Sequence, residues 1–196
     1  MSNKIRRYFY VLLRALCLKP LSLWFRCNAS FAVLNGQNLP QKNRPVIVYS
    51  NHQQFIDTLY FAIAMKPRFS LIGANIKYAK HRLMRLVMNV LFIGFYHDDQ
   101  QFKRDCSRVL HQGRVLLLYP EMGRNPQSIG DFKPLAAEVA LANKALLIPC
   151  YIHYPKFSKH CELIVGEGFL PEGYDVTHLN QLMREKIIAL IPKENE

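Results

Sequence analysis

Short apolar runs, each followed by a stretch with helical spacing, recur from residue 45 onward and restrict the fold more than any other feature. Pro45-Val46-Ile47-Val48-Tyr49, Val115–Tyr119 and Ala145–Tyr151 are apolar and rich in branched side chains, which predicts strands buried on both faces. Arg68–Ala74 and Glu162–Val165 read as further strands, and Leu91–Tyr96 as a short apolar run. Between them, Thr58–Met65, residues 78–90, Gln101–His111 and Leu135–Asn143 carry helical spacing, and Val176–Ile191 closes the chain as a helix. Gly113 is placed to end the helix before it. Strands that are apolar throughout and alternate with helices predict an α/β fold, a single domain with a largely parallel sheet flanked by helices. The expected organisation is an N-terminal segment over residues 1–30 followed by one domain over residues 31–196.

In a parallel sheet, ligand sites lie beyond the carboxyl ends of the strands. Asn51-His52 directly follows one predicted strand, and Glu121 to Arg124 follow another. Both polar blocks should therefore reach the same sheet edge. Pro149, inside a predicted strand, suggests an edge or bulge position near that edge.

His52 and Asp57 are the candidate general base pair. One imidazole nitrogen takes a proton from a hydroxyl, while the carboxylate holds the other N–H and stabilises the imidazolium that forms. A five-residue spacing does not place them on adjacent turns of a regular helix. It works with His52 on the loop and Asp57 at the start of the helix, where Asp57 is also well placed as a cap. A separation beyond about 5 Å, outside hydrogen-bond reach, would favour a non-catalytic chain.

Charge is distributed unevenly. The chain has a net charge of +12, and up to His97 fourteen basic residues face Asp57 as the lone acid. The remainder is nearly balanced. A basic half predicts an anionic partner, a phospholipid surface or nucleic acid. There is no aromatic-basic recognition motif and no zinc spacing, so nucleic acid is not the expected partner. Residues 5–25 read as an interfacial amphipathic helical segment, with Lys4, Arg7 and Arg14 on one face beside Ile5, Tyr8, Phe9, Leu12 and Leu13. Pro20 is expected to break or kink it. The segment does not read as a spanning helix, which predicts peripheral or monotopic attachment. Cys17, Cys27, Cys106, Cys150 and Cys161 form no close pair, which fits reduced thiols in a cytosolic setting.

Taken in order, Asn51-His52 through Asp57, Tyr119-Pro120-Glu121-Met122-Gly123-Arg124-Asn125 and Ile148-Pro149-Cys150 resemble the blocks of the glycerolipid acyltransferases, the family that includes 1-acylglycerol-3-phosphate acyltransferase. The middle of these looks like Phe-Pro-Glu-Gly-Thr-Arg-Ser, and Ala79-Lys80 with Phe92–Asp98 stands where a further block belongs. The resemblance covers about residues 45–155. It implies transfer of a fatty acyl group from an acyl thioester, acyl-CoA or acyl carrier protein (acyl-ACP), to the hydroxyl of a lysophospholipid. The thioester is a co-substrate, with no cofactor, metal or covalent acyl-enzyme implied. His52 and Asp57 would be catalytic, Arg124 would bind the acceptor phosphate with Lys80 as a second candidate, and Glu121 and Gly123 would shape the same substrate-binding loop. Asn51 and Pro149 would support the site, and the expected setting is the cytoplasmic face of a membrane. Met122-Gly123 stands in place of Gly-Thr, and His97 or Asp98 in place of an arginine, which points to an acceptor headgroup needing fewer cations. The alternative is a catalytically inactive lipid-binding relative.

Overall fold

The computed structural model describes residues 31–39, 44–54, 56–65, 98–126, 128–155 and 160–192, the backbone of 69–75 and 93–96, and Leu16, Pro20 and Leu23. Among these residues, seven strands form one sheet: β1 (Phe31–Leu34), β2 (Val46–Ser50), β3 (Phe69–Asn75), β4 (Ile93–Tyr96), β5 (Val115–Leu118), β6 (Leu146–His153) and β7 (Cys161–Val165). Their order across the sheet is β1-β7-β6-β2-β5-β3-β4. Four helices accompany them: α1 (Asp57–Met65), α2 (Asp99–His111), α3 (Leu135–Asn143) and α4 (Val176–Ile188).

β6, β2, β5, β3 and β4 run parallel, as the alternation of strands and helices predicts. β7 is antiparallel to β6, and β1 runs parallel to β7, so these two strands oppose the other five. The cause is connection length. Residues 154–160 are too few for a crossover helix, so the chain must turn back on itself. β1 was not foreseen: it is a four-residue strand among turn residues and gains its definition from pairing with β7.

Alternate side chains of the central strands feed two cores. Ile47, Tyr49, Leu116, Leu118 and Leu147 join Phe102, Cys106 and Leu110 of α2, the small residues of α3, and Leu179, Met183 and Ile187 of α4. Val46, Val48, Leu117, Ile148 and Cys150 pack on the opposite face with Tyr60, Phe61 and Ala62 of α1. Both faces of β2 are thus buried, which explains why its sequence shows no polar alternation.

Helix ends follow local chemistry. The Asp98 carboxylate caps α2 by accepting from Gln101 N at 2.7 Å, so this helix starts two residues earlier than its spacing suggests. At its other end, Arg114 N–H donates to Val109 O and Gly113 N–H to Leu110 O, with Gly113 at φ 67°. This double return is a Schellman motif, which needs a left-handed residue and finds glycine there. α4 stops at Ile188, short of the expected Ile191.

Pro149 corrects half of its expectation. It lies in β6, an interior strand, not at an edge. Its carbonyl accepts from Gly166 N at 2.8 Å, but proline has no N–H to return the bond. Beyond it, Leu147 and Phe169 exchange both bonds, leaving Glu167 and Gly168 opposite Ile148 alone. That two-against-one pairing is a bulge, the other position at which a sheet accepts proline.

Of the N-terminal segment, Leu16, Pro20 and Leu23 are helical and exposed, and the remainder of the predicted interfacial helix lies outside the described residues. Among the described residues no helix is long and apolar enough to cross a membrane.

Candidate active site

β2, β5 and β6 end side by side, and the segments leaving them build the site. The position after β2 is Asn51, which is buried. The β2–β6 ladder has its last pair at Ser50 and Cys150, so the next inward-facing backbone groups of β6, those of Ile152, would be left without partners. Asn51 supplies them. Its Nδ2 donates to Ile152 O at 3.1 Å, and its Oδ1 accepts from Ile152 N at 2.8 Å and from the Ser50 hydroxyl at 3.1 Å. A side-chain amide carries one donor group and one acceptor, as a peptide does, so it extends the ladder while releasing the main chain to turn.

The released chain presents His52. Its Nδ1 lies 3.0 Å from Asp57 Oδ2, and the His52 side chain retains 17% exposure while that of Asp57 has none. Oδ2 also accepts from Gln53 N at 2.7 Å and Gln54 N at 2.8 Å. Asp57 is the first residue of α1, yet its carboxylate turns back to the preceding loop. It organises residues 52–54 and does not cap its own helix, in contrast to the cap expected from position alone. Tyr154, which follows β6, donates its phenol to the other oxygen, Oδ1.

A second restraint acts on the imidazole plane. The Tyr119 ring, directly after β5, stacks on it with centroids 4.1 Å apart and an interplanar angle of 12°. The Tyr119 hydroxyl is 3.2 Å from Thr58 Oγ1, and its ring meets Phe61 edge-on, so the stacking partner is itself fixed to α1. Burial, foremost, holds the Tyr119 phenol well above its usual pKa, so it stays neutral beside the imidazole. Among the described residues no group occupies His52 Nε2. The ring is therefore fixed at Nδ1 and on one face, and its second nitrogen is not engaged by any described residue.

The block after β5 meets the block after β2 directly. Glu121 Oε1 accepts from His52 N at 3.3 Å, and Oε2 accepts from Gly130 N at 2.8 Å. Asn125 N–H donates to His52 O at 2.7 Å. Both backbone groups of His52 are thus held by the loop 121–130. A Cβ at Gly130 would lie 2.9 Å from Glu121 Oε2, so a side chain there would push the carboxylate off this backbone donor. Burial, as the largest influence, raises the Glu121 pKa, partly opposed by the two backbone donors, His52 and Arg184. Arg184 of α4 donates to the carbonyls of Gly130 and Ile129 at 3.2 and 3.3 Å, tying the far end of the loop to the C-terminal helix.

Met122 and Arg124 face outward. Met122 adopts φ 54°, the left-handed region, and is 39% exposed. The glycine of the resembled Phe-Pro-Glu-Gly-Thr-Arg-Ser block falls at this position, where the backbone, not the side chain, sets the requirement. Gly123, by contrast, has no positive φ. Arg124 is exposed, and no described residue pairs with its guanidinium. Lys80 and His97 lie outside the described residues, and Asp98 serves as the α2 cap.

Two contributors escaped the sequence reading. Tyr119 had a visible signal, an aromatic opening the second polar block. Tyr154 follows a strand of the same parallel set as β2, so the strand-end rule that singled out His52 applied to it as well. The three described cysteines, Cys106, Cys150 and Cys161, are buried, and burial pushes each thiol well above its usual pKa, Cys161 to about 12. They are packing residues. Among the described residues no group of three or more histidine, cysteine or acidic side chains is arranged to hold a metal.

The sequence family described as Acyltransferase matches residues 30–153, more than half of the chain. No curated protein matches the sequence. Among solved structures, the chain is similar to the 1-acyl-sn-glycerophosphate (LPA) acyltransferase PlsC from Thermotoga maritima, with a TM-score of 0.70 and 18% identity, over 100% of this chain and 86% of that one. At that identity the likeness establishes the shared fold.

Proposed function

The chain belongs to the acyltransferase family, and from that premise we propose that it transfers a fatty acyl group from an acyl thioester, acyl-CoA or acyl-ACP, to the hydroxyl of a lysophospholipid or related glycerolipid. The observation that carries this reading is the His52 Nδ1–Asp57 Oδ2 contact of 3.0 Å at the carboxyl ends of parallel strands, with no described residue bonded to Nε2. The LPA acyltransferase with the same fold acts, by its name, on 1-acyl-sn-glycerophosphate, an acceptor of the proposed class.

His52 Nε2 accepts the acceptor's hydroxyl proton as its oxygen attacks the thioester carbonyl. The imidazolium is stabilised by Asp57, whose position its other hydrogen bonds define. Collapse of the tetrahedral intermediate breaks the C–S bond, and the imidazolium proton passes to the departing sulfur, giving ester and thiol. Such a base contributes about 100- to 10,000-fold in rate. Arg124, exposed beside this site, suits the acceptor phosphate because its planar fork matches two phosphate oxygens. Lys80 is a second candidate for the same anion. Glu121, with both oxygens on backbone donors, and Gly123 shape the loop that carries Arg124. The basic N-terminal half, with exposed Leu16 and Leu23, supports work at the cytosolic face of a membrane, peripherally or monotopically bound.

The test is acyl transfer from acyl-CoA and acyl-ACP to a panel of lysolipids presented in anionic vesicles. Wild type should form diacyl product, and His52→Ala should lower the rate by about 100- to 10,000-fold. Equal rates would remove His52 as the base. Vesicle binding by a wild type that transfers no acyl group would favour the inactive lipid-binding relative.

A further inference from the structure

The four donors to Asp57 divide unevenly between its two oxygens. Oδ2 takes His52 Nδ1, Gln53 N and Gln54 N, all from the loop that the carboxylate organises. Oδ1 takes Tyr154 Oη at 2.5 Å, from the end of β6. The first three donors all come from the segment that follows β2, itself held at His52 by Glu121 and Asn125 of the loop after β5. Tyr154 is the one donor among the described residues that joins Asp57 to a strand across the site.

We propose that Tyr154 is a positioning residue of the catalytic pair, whose phenol anchors Asp57 Oδ1 to the end of β6 and sets the basicity that Asp57 presents to His52. The kinetic part of this inference rests on the acyl-transfer reading, and the structural part does not. A hydrogen-bond donor draws charge from a carboxylate and stabilises its ionised form. Removing the phenol leaves more of the negative charge to act on His52, so the imidazolium is held more tightly and the histidine titrates at higher pH. The phenol remains a donor across the working range because burial, then its bond to Asp57 and the Asp57 charge, hold its pKa far above the ordinary tyrosine value.

The other titratable groups around the pair do not obscure this effect. Tyr60 from α1, Tyr119 after β5 and Cys161 from β7 all have raised pKa values and stay neutral beside Asp57. Glu121 is the second acid facing His52, with Arg184 of α4 acting on it in turn. Glu121 and Arg184 are the same in wild type and in a Tyr154 variant, so their contribution cancels in the comparison.

The experiment is a side-chain NMR titration of the full-length protein, labelled at histidine and assigned with His52→Ala, alongside pH profiles of kcat/KM. In Tyr154→Phe the His52 midpoint should rise by roughly half a unit to one unit, and the acidic limb of the rate profile should move the same way. Replacing Tyr154 with 3-fluorotyrosine, a stronger donor, should lower the midpoint. Tyr174→Phe, at an exposed tyrosine, should leave it unchanged. A folded Tyr154→Phe protein with an unaltered His52 midpoint overturns the proposal. If that variant does not fold, an unmoved midpoint in the fluorotyrosine protein overturns it equally. A wild type that transfers no acyl group while its His52 midpoint responds to Tyr154 would overturn the acyl-transfer reading and leave the positioning role supported.

Discussion

Asn51→Ala should be among the most damaging single changes that leave the His52 and Asp57 side chains intact. The substitution deletes the amide that pairs with both backbone groups of Ile152, a residue with no exposure. It also removes the acceptor of the buried Ser50 hydroxyl. An orphaned buried polar group costs about 1–3 kcal/mol, so loss of the two Ile152 partners corresponds to about 2–6 kcal/mol. For a domain of this size that is a fall in Tm of roughly 4–24 °C. Asn51→Asp separates the donor from the acceptor. The carboxylate keeps the bonds from Ile152 N–H and the Ser50 hydroxyl but sets an anion against the Ile152 carbonyl. Its folded pKa should therefore lie above its unfolded value. The variant's deficit should be smallest at low pH, where the protonated acid can donate to that carbonyl, and should grow as pH rises through the folded pKa. Thermal unfolding of wild type and both variants between acid and neutral pH measures this. An Asn51→Ala protein that melts within about 1 kcal/mol of wild type, a few degrees on the same scale, would refute the argument that this amide closes the gap between β2 and β6.

Two further outcomes follow from the loop after β5. Met122→Gly should raise stability by about 0.5–1 kcal/mol, because release from a left-handed φ is worth about 1–2 kcal/mol and the added chain entropy of glycine returns part of it; denaturant unfolding at neutral pH checks the sign. Glu121→Gln should flatten the acid range of the stability–pH profile. Folding raises the Glu121 pKa, so this residue's contribution declines as pH rises from the unfolded pKa through the folded one, and a neutral glutamine lacks that slope. The same variant should lower the transfer rate, because an amide has one oxygen for the two N–H donors of His52 and Gly130.

Local signals were enough for much of this protein. The apolar runs of β2, β5 and β6 and the helical spacing of α1, α2 and α3 follow from burial on two faces and from side-chain period, both written into neighbouring residues. Gly113 ended α2 for a reason that needs no partner, its left-handed backbone. The His52–Asp57 pair and its meeting with the block at Glu121 were also legible, because parallel strands bring their following loops to one edge. Tertiary structure alone decided the contacts made across long separations. β1 and the reversed direction of β7 are defined by each other's ladders, and four or five residues carry too little pattern to show this alone. The direction in which the Asp57 carboxylate points was likewise outside local reach. Helix position suggests a cap, but Gln53, Gln54, His52 and Tyr154 outnumber the donors a cap would offer. Asn51 reads as a polar turn residue in sequence and becomes a rung of the sheet when β6 lies beside it. Hydrogen-bond satisfaction is the common physical reason: the residue that must complete a buried backbone group is chosen by what folding brings next to it.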